Sequence, residues 1–310
     1  MNSNIKSHHV INEFNRYILN RFGERIQKVS VDAGFTCPNR DGKISYGGCT
    51  YCNNDKFNQG RDKLGASVTQ QITTQVKRIK TRYKNAKKFI VYFQAYSNTY
   101  APLQHLKKLY LEALACPDII GLTIGTRPDC ITEEALDFLA ELAKQYYITI
   151  EYGLESMSDE TLMRINRGHD YQCFKNAVNL TKNRGINICT HLMIGFPWET
   201  QEDYIQTAIE LSKLEIDYLK IHQLQIVKHT IMGNAYLKNS FHLLSKFEYL
   251  EILSQFFIHL SPQIVIQRVA GDCSKDLLIA AGWIESSNEI KIELKKLMQQ
   301  KRQTQGMLYI

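Results

Sequence analysis

Cys37, Cys49 and Cys52 are the residues of this 310-residue chain whose type and spacing most directly suggest chemistry. They lie in the segment DAGFTCPNRDGKISYGGCTYCNN, where eleven residues separate the first two and Tyr51 directly precedes the third. Three thiolates on one loop can hold three irons of a four-iron four-sulfur cluster, leaving the fourth iron open to a ligand that reacts. The same thiolates, completed by a histidine or another cysteine, would suit zinc. The chain has no second C-x-x-C and no closely following H-x-x-x-H. Taken alone, the triplet is compatible with either metal. A disulfide framework is not expected, because the eight cysteines are scattered and no signal peptide is apparent.

Composition narrows the class. Hydrophobic residues at 44% and charged residues at 22% describe an ordinary globular chain. No run of eighteen apolar residues exists, so no membrane span is expected, and free cysteines without an apolar leader fit a cytoplasmic protein. The net charge of +7 favours an anionic partner. Its clearest local source is Lys77, Arg78, Lys80, Arg82, Lys84, Lys87 and Lys88, seven cations within twelve residues. A second run closes the chain at Lys291, Lys295, Lys296, Lys301 and Arg302. Such runs serve either as solvated helix faces or as phosphate-backbone contacts.

The elements that must position the cysteines alternate in type. KVSVDA (28–33) reads as a strand leading into the cysteine loop. The spacing of Val68, Ile72, Val76, Ile79 and Tyr83 predicts a helix capped by Ser67. Strands at 88–95, 119–125, 147–153, 186–194 and 218–224 then alternate with helices at 103–115, 132–144, 170–185 and 200–214. A helix at 246–260 and an apolar run at 264–269 follow. Six alternations predict a parallel sheet with helices outside: a partial (β/α)6 barrel of the TIM type. The expected division is an N-terminal extension (1–27), a core (28–225) and a C-terminal extension packed on the core (226–310). In such barrels chemistry sits at the C-terminal strand ends. The polar stretches Gln94–Asn98, Thr126–Asp129, Glu151 with Glu155, and His191 with Gly195–Pro197 should therefore meet the cysteine loop at one mouth.

With GLTIGTRPD, IEYGLES, INRGHD and HLMIGFPWE following the cysteine loop in order, the sequence resembles the radical S-adenosylmethionine (radical SAM) superfamily. It is nearest in style to oxygen-independent coproporphyrinogen oxidases and the catalytic subunit of elongator. The resemblance implies that Cys37, Cys49 and Cys52 ligate a [4Fe-4S] cluster. The amino and carboxylate groups of S-adenosylmethionine would complete the open iron. It further implies cofactor contacts from Tyr51 (adenine), Gln94 (near the methionine amino group) and Thr126 (ribose). Glu155 and Arg167 would hold the ribose and methionine ends. His191 stands where an acidic residue is common. The family's commonest loop has three residues between its first two cysteines; here the longer loop would turn on Gly42, Gly47 and Gly48. The implied chemistry is reductive cleavage of S-adenosylmethionine to methionine and a deoxyadenosyl radical, which abstracts hydrogen from a substrate. An electron donor such as flavodoxin or ferredoxin is implied as a partner.

Only 36 residues precede Cys37 and only Cys273 lies beyond residue 200, so a further cluster domain is not expected. The segment IQRVAGDCSKDLLIAAGW resembles a small bacterial branch related to elongator. That branch is similar to enzymes that trim the carboxymethylaminomethyl group of the transfer RNA wobble uridine to aminomethyl, which implies tRNA as partner. A radical SAM enzyme on a small molecule is the alternative within enzymes. A non-catalytic, zinc-dependent nucleic-acid-binding protein is the alternative outside them.

Overall fold

The computed structural model describes residues 9–53 and 65–309; residues 1–8 of the expected N-terminal extension lie outside them. In chain order the elements are α1 (Phe14–Phe22), β1 (Gln27–Val31), α2 (Val68–Arg82), β2 (Phe89–Phe93), α3 (Leu103–Leu114) and β3 (Ile119–Thr126). A short 3-10 turn (Pro128–Cys130) leads to α4 (Glu133–Ala143), β4 (Tyr147–Glu155), α5 (Asp159–Arg164), α6 (Tyr171–Thr181), β5 (Asn187–Ile194), α7 (Gln201–Ser212) and β6 (Tyr218–Gln223). The remainder is β7 (Ile226–Val227), α8 (Ile231–Lys238), α9 (Lys246–His259), β8 (Val265–Arg268), β9 (Leu278–Ala280) and α10 (Ser287–Gln300).

Seven strands form one sheet in the order β1-β2-β3-β4-β5-β6-β8, and every pairing in it is parallel. The six strands expected from the sequence are all present. The apolar run at 264–269 supplies the seventh, beside β6. The anticipated caps hold: Ser67 accepts from the Gln70 amide, Thr132 from Ala135 and Asp170 from Cys173.

Side-chain contacts show how strongly the sheet curls. Neighbouring strands lie about 4.8 Å apart, so in a flat sheet β2 and β6 would be separated by roughly 19 Å. Yet Lys220 on β6 donates to the Tyr92 hydroxyl on β2 at 3.2 Å. The sheet is therefore a partial barrel. Its outer face packs against the helices through a core that includes Val91, Leu122, Ile150, Leu192 and Ile221. Its lower lumen is stoppered by α1, whose Phe14, Ile18 and Phe22 pack with Ile90, Tyr147, Tyr218 and Val265. That stopper leaves the C-terminal strand ends as the open mouth.

Candidate active site

The cysteine loop begins just after β1 and folds back on itself. Gly42, Gly47 and Gly48 all have positive φ. The amides of Arg40 and Asp41 bond to the Cys37 carbonyl at 2.8 and 3.2 Å, and the Gly48 amide bonds to Asn39 at 2.8 Å. This closed loop returns the chain so that Cys37 and Cys49 can act together despite the eleven intervening residues. Burial pushes the Cys52 thiol up to about 11, and the nearby Cys49 and Cys37 sulfurs push it the same way. A buried thiol whose ionisation two neighbouring sulfurs oppose belongs to a donor set in need of a positive centre.

The loop is pinned from outside. The Thr50 amide donates to Ile165 after α5 at 2.9 Å, and the Met232 amide of α8 donates to Thr50 at 2.9 Å. Tyr51 packs with a cluster containing Leu162, Ile165, Met193 and Phe196. Asn166 donates to the Gly48 carbonyl at 3.0 Å. Two donors aim at one sulfur: Asn39 Nδ2 and Arg167 Nη1 each lie 3.6 Å from Cys49 Sγ.

Arg167 is the hub of the mouth. It is buried, donates to the Gly153 carbonyl at 2.6 Å and lies 3.7 Å from the Glu155 carboxylate. A Cβ on Gly153 would sit 2.5 Å from Arg167 Nη2 and 2.8 Å from Glu155 Oε1, so glycine is what opens this cradle. β4 ends in a register shift between Gly153 and Glu155. Glu155 itself takes φ +71°, a left-handed conformation that turns the chain over the mouth. A second guanidinium, Arg127, is buried and held in a two-point pair with Asp129 at 2.8 and 2.7 Å. Each guanidinium keeps one buried nitrogen without a partner among the described residues: Arg167 Nε and Arg127 Nη1. His169 is held neutral, its imidazole down at about 3, by burial and by the adjacent Arg167 charge.

The other polar strand ends divide into two groups. Gln94 sits half-buried at the end of β2. Thr126 is buried with its hydroxyl 2.6 Å from that of Thr99. Asn98 bonds to the Phe93 and Gly125 carbonyls and so ties β2 to β3. In the GFPWE segment, Glu199 accepts from Ser156 and Trp198 donates to Thr161, so both brace neighbouring loops. His191 lies deeper. Its Nε2 is 2.9 Å from Glu151, a fully buried carboxylate that also takes Lys28 at 3.3 Å and Lys220. Although burial opposes it, those ammonium groups hold the Glu151 carboxyl well below the usual range. Burial draws Lys220 down to about 8. Glu151, Cys189 and His191 place ligand atoms within 4.8 Å of one another. Two ammonium groups already occupy that carboxylate, which makes it a poor seat for a further cation.

The three cysteine sulfurs do not form such a compact set among the described residues. Thiolates about 2.3 Å from one tetrahedral zinc would stand under about 4 Å apart, whereas sulfurs on separate irons of a cluster stand wider. The donor set therefore fits an iron–sulfur cluster better than zinc. Sequence reasoning did not single out Asn39, Asn166 or Lys220. The last had a readable signal, a lysine inside the apolar strand YLKIHQ.

A partial parallel barrel with three cysteines at its mouth is the architecture of an enzyme that works through a cluster held at the strand ends. The Radical SAM superfamily model matches residues 37–211, and the Radical_SAM C-terminal domain matches residues 216–300. The chain belongs to the radical SAM superfamily, enzymes that use a [4Fe-4S] cluster and S-adenosylmethionine. It is 33% identical over 308 residues to YtqA of Bacillus subtilis (strain 168), covering 98% of this chain and 93% of that one. It is 34% identical over 290 residues to YhcC of Escherichia coli (strain K12), covering 93% and 92%. In fold it is similar to the archaeal Methanocaldococcus infernus Elp3 with an N-terminal deletion. The TM-score there is 0.68 at 16% identity, over 90% of this chain and 64% of that one. No helix among the described residues is long and apolar enough to cross a membrane.

Proposed function

We propose that this radical SAM enzyme abstracts hydrogen from a nucleoside of tRNA, with trimming of the wobble-uridine carboxymethylaminomethyl group as the reaction. The observation carrying the hydrogen-abstraction half is the Arg167 hub, which joins the cysteine loop, the Gly153 carbonyl and Glu155 at the barrel mouth. Cys37, Cys49 and Cys52 would hold the cluster, which supplies the electron for cleaving bound S-adenosylmethionine. Around it, this chain's residues bind and orient. Glu155 and Arg167 would take the polar ends of S-adenosylmethionine, and Thr126 and Gln94 the rim beside them. Tyr51, set in its apolar cluster, would border the adenine. His191 would close the site from below. Asn39 and Arg167, donating toward Cys49, would stabilise its thiolate charge. A small acidic reductase of the flavodoxin or ferredoxin type would deliver the electron.

The tRNA half rests on the sequence resemblance and on the net charge of +7. One observation favours a small-molecule substrate instead. Residues 80–88 lie by the N-terminal strand edge: Lys80 pairs with Asp118 just before β3, and the Lys88 carbonyl takes the Gln27 amide at the start of β1. An RNA held there would have to lie along the barrel wall to reach the mouth. The deciding experiment is mass spectrometry of tRNA nucleosides from a strain lacking the protein. Accumulation of one precursor nucleoside, reversed by the purified enzyme with S-adenosylmethionine and a reductant, is the expected result. Unchanged tRNA nucleosides would hand the site to the small-molecule reading.

A further inference from the structure

The segment IQRVAGDC belongs to neither the cysteine loop nor the mouth, yet it forms the last strand of the barrel wall. Pairing of β8 with β6 runs Tyr218 to Val265 and Leu219 to Ile266, then jumps from Lys220 to Arg268. The skipped residue, Gln267, makes this a bulge, the irregularity that re-aims side chains beside functional sites. Its effect is visible. Gln267 turns inward and accepts from Lys28 at 3.1 Å, spanning the seam between β1 and β8. Arg268 pairs in register with Lys220, which itself points inward to Glu151 and Tyr92. The positive charge of Arg268 is felt at the Tyr92 hydroxyl.

The lumen therefore holds three cations, Lys28, Lys220 and Arg268, around one carboxylate, Glu151. Cys189 is buried, and its thiol is pushed upward and kept neutral. Two of the cations are committed to Glu151. Among the described residues no carboxylate pairs with Arg268. The side of the chamber lined by β5 and β8 is not sealed: the His191 side chain is 20% exposed and Arg268 is partly buried. His191 donates Nε2–H to Glu151 when neutral and so presents Nδ1 to the same space. The far end of β8 is fixed by Gln223, which both donates to and accepts from Gly271, at 2.9 and 2.7 Å.

We infer that Arg268, with Lys220 and His191 beside it, forms a subsite in the barrel lumen for an oxyanion group of the substrate, a carboxylate or a phosphate. The excess positive charge sits in a low-dielectric enclosure, where an incoming anion offsets it strongly. The guanidinium fork matches either group at two points. The inference rests on reading the lumen as the substrate chamber of the proposed enzyme, and it names the chemical handle by which the substrate is held.

The test uses the anaerobic, cluster-loaded enzyme with S-adenosylmethionine. Acetate and inorganic phosphate are titrated separately against thermal stability and against tRNA-stimulated release of 5′-deoxyadenosine. Wild type should be stabilised by one of them, and the better anion identifies the group. Arg268→Gln should lose that response, and Arg268→Lys should regain part of it. With tRNA from a strain lacking the enzyme, Arg268→Gln should raise KM roughly ten- to hundredfold while substrate-free S-adenosylmethionine cleavage persists. Circular-dichroism melting confirms folding, since removing Arg268 strands no carboxylate partner. An anion response identical in wild type and Arg268→Gln overturns the subsite. So does tRNA turnover with an unchanged KM in the variant, and the tRNA reading then stands alone. An Arg268-dependent anion response without tRNA turnover keeps the subsite and removes RNA as its substrate.

Discussion

Replacing Arg167 by Met should separate the mouth's structural role from its electronic one. The substitution removes a charged donor from the Gly153 carbonyl and from Cys49 Sγ, and leaves Glu155 without its cation. Losing a hydrogen bond to a charged group costs about 1.5–3 kcal/mol, and stripping one partner from a buried pair costs about 3–5 kcal/mol. The losses overlap, so the total should be about 3–5 kcal/mol. Unfolding entropy near 60 °C is about 2.1 cal/mol/K per residue, which for 310 residues is about 0.65 kcal/mol/K. The apo variant should therefore melt about 5–8 °C lower, read by circular dichroism under reductant. Once reconstituted, its cluster should become harder to reduce by roughly tens of millivolts, having lost a positive charge and an N–H donor to sulfur. Arg167→Lys should restore part of the potential but little of the melting temperature, because a lysine keeps the charge without the fork. A melting loss under about 1 °C together with an unshifted potential would refute the hub.

Alanine at Cys37, Cys49 or Cys52 should abolish the visible cluster absorbance, whereas alanine at Cys116, Cys130, Cys173, Cys189 or Cys273 should leave it; retained absorbance without Cys49 would contradict the ligand assignment. His169 has a folded pKa of about 3 against an ordinary 6.5, so the unfolded chain binds the extra proton first and stability falls as pH drops below 6.5. The slope is up to about 1.4 kcal/mol per pH unit, and His169→Gln should flatten it in urea titrations between pH 6.5 and 4, with unchanged curvature counting against it. Reversing Lys77, Arg78, Lys80 and Lys84 to Glu should flatten the log affinity against log salt plot for tRNA by roughly 0.7–0.9 per lost phosphate contact, with tRNA-free S-adenosylmethionine cleavage intact; normal binding would leave that face merely solvated.

The strand–helix alternation was legible because the strands, packed against helices on their outer face, are buried enough to read as near-continuous apolar runs. IIGLTIG and HLMIGFP declare themselves that way. β8 did not, since four residues are too few for periodicity to decide and its place beside β6 is a long-range fact. α1 was passed over, although Phe14, Ile18 and Phe22 have helical spacing. At the site, residue type revealed the cysteines. Arg167 was named for the cofactor, but its contact with Cys49 stayed hidden because it spans 118 positions, and Asn39 as a second donor to that sulfur has no pattern of its own. Thr126 closes β3 with its hydroxyl on Thr99, whereas His191 lies inside β5, below the mouth where the sequence had set it, drawn to Glu151 on the neighbouring strand; no local pattern links either pair.

The pinning of the cysteine loop also sets an order of events. Its anchors, the Ile165 carbonyl and the Met232 amide, are synthesised long after the cysteines have left the ribosome. Until both exist, the thiols belong to a segment with no wall behind it. Contacts of such sequence separation form late, after the intervening loops have closed. Metal loading at these thiols is then expected to follow barrel closure rather than guide it. Damage anywhere from α5 to α8 would show first as poor iron occupancy, in a chain whose cysteines are all intact.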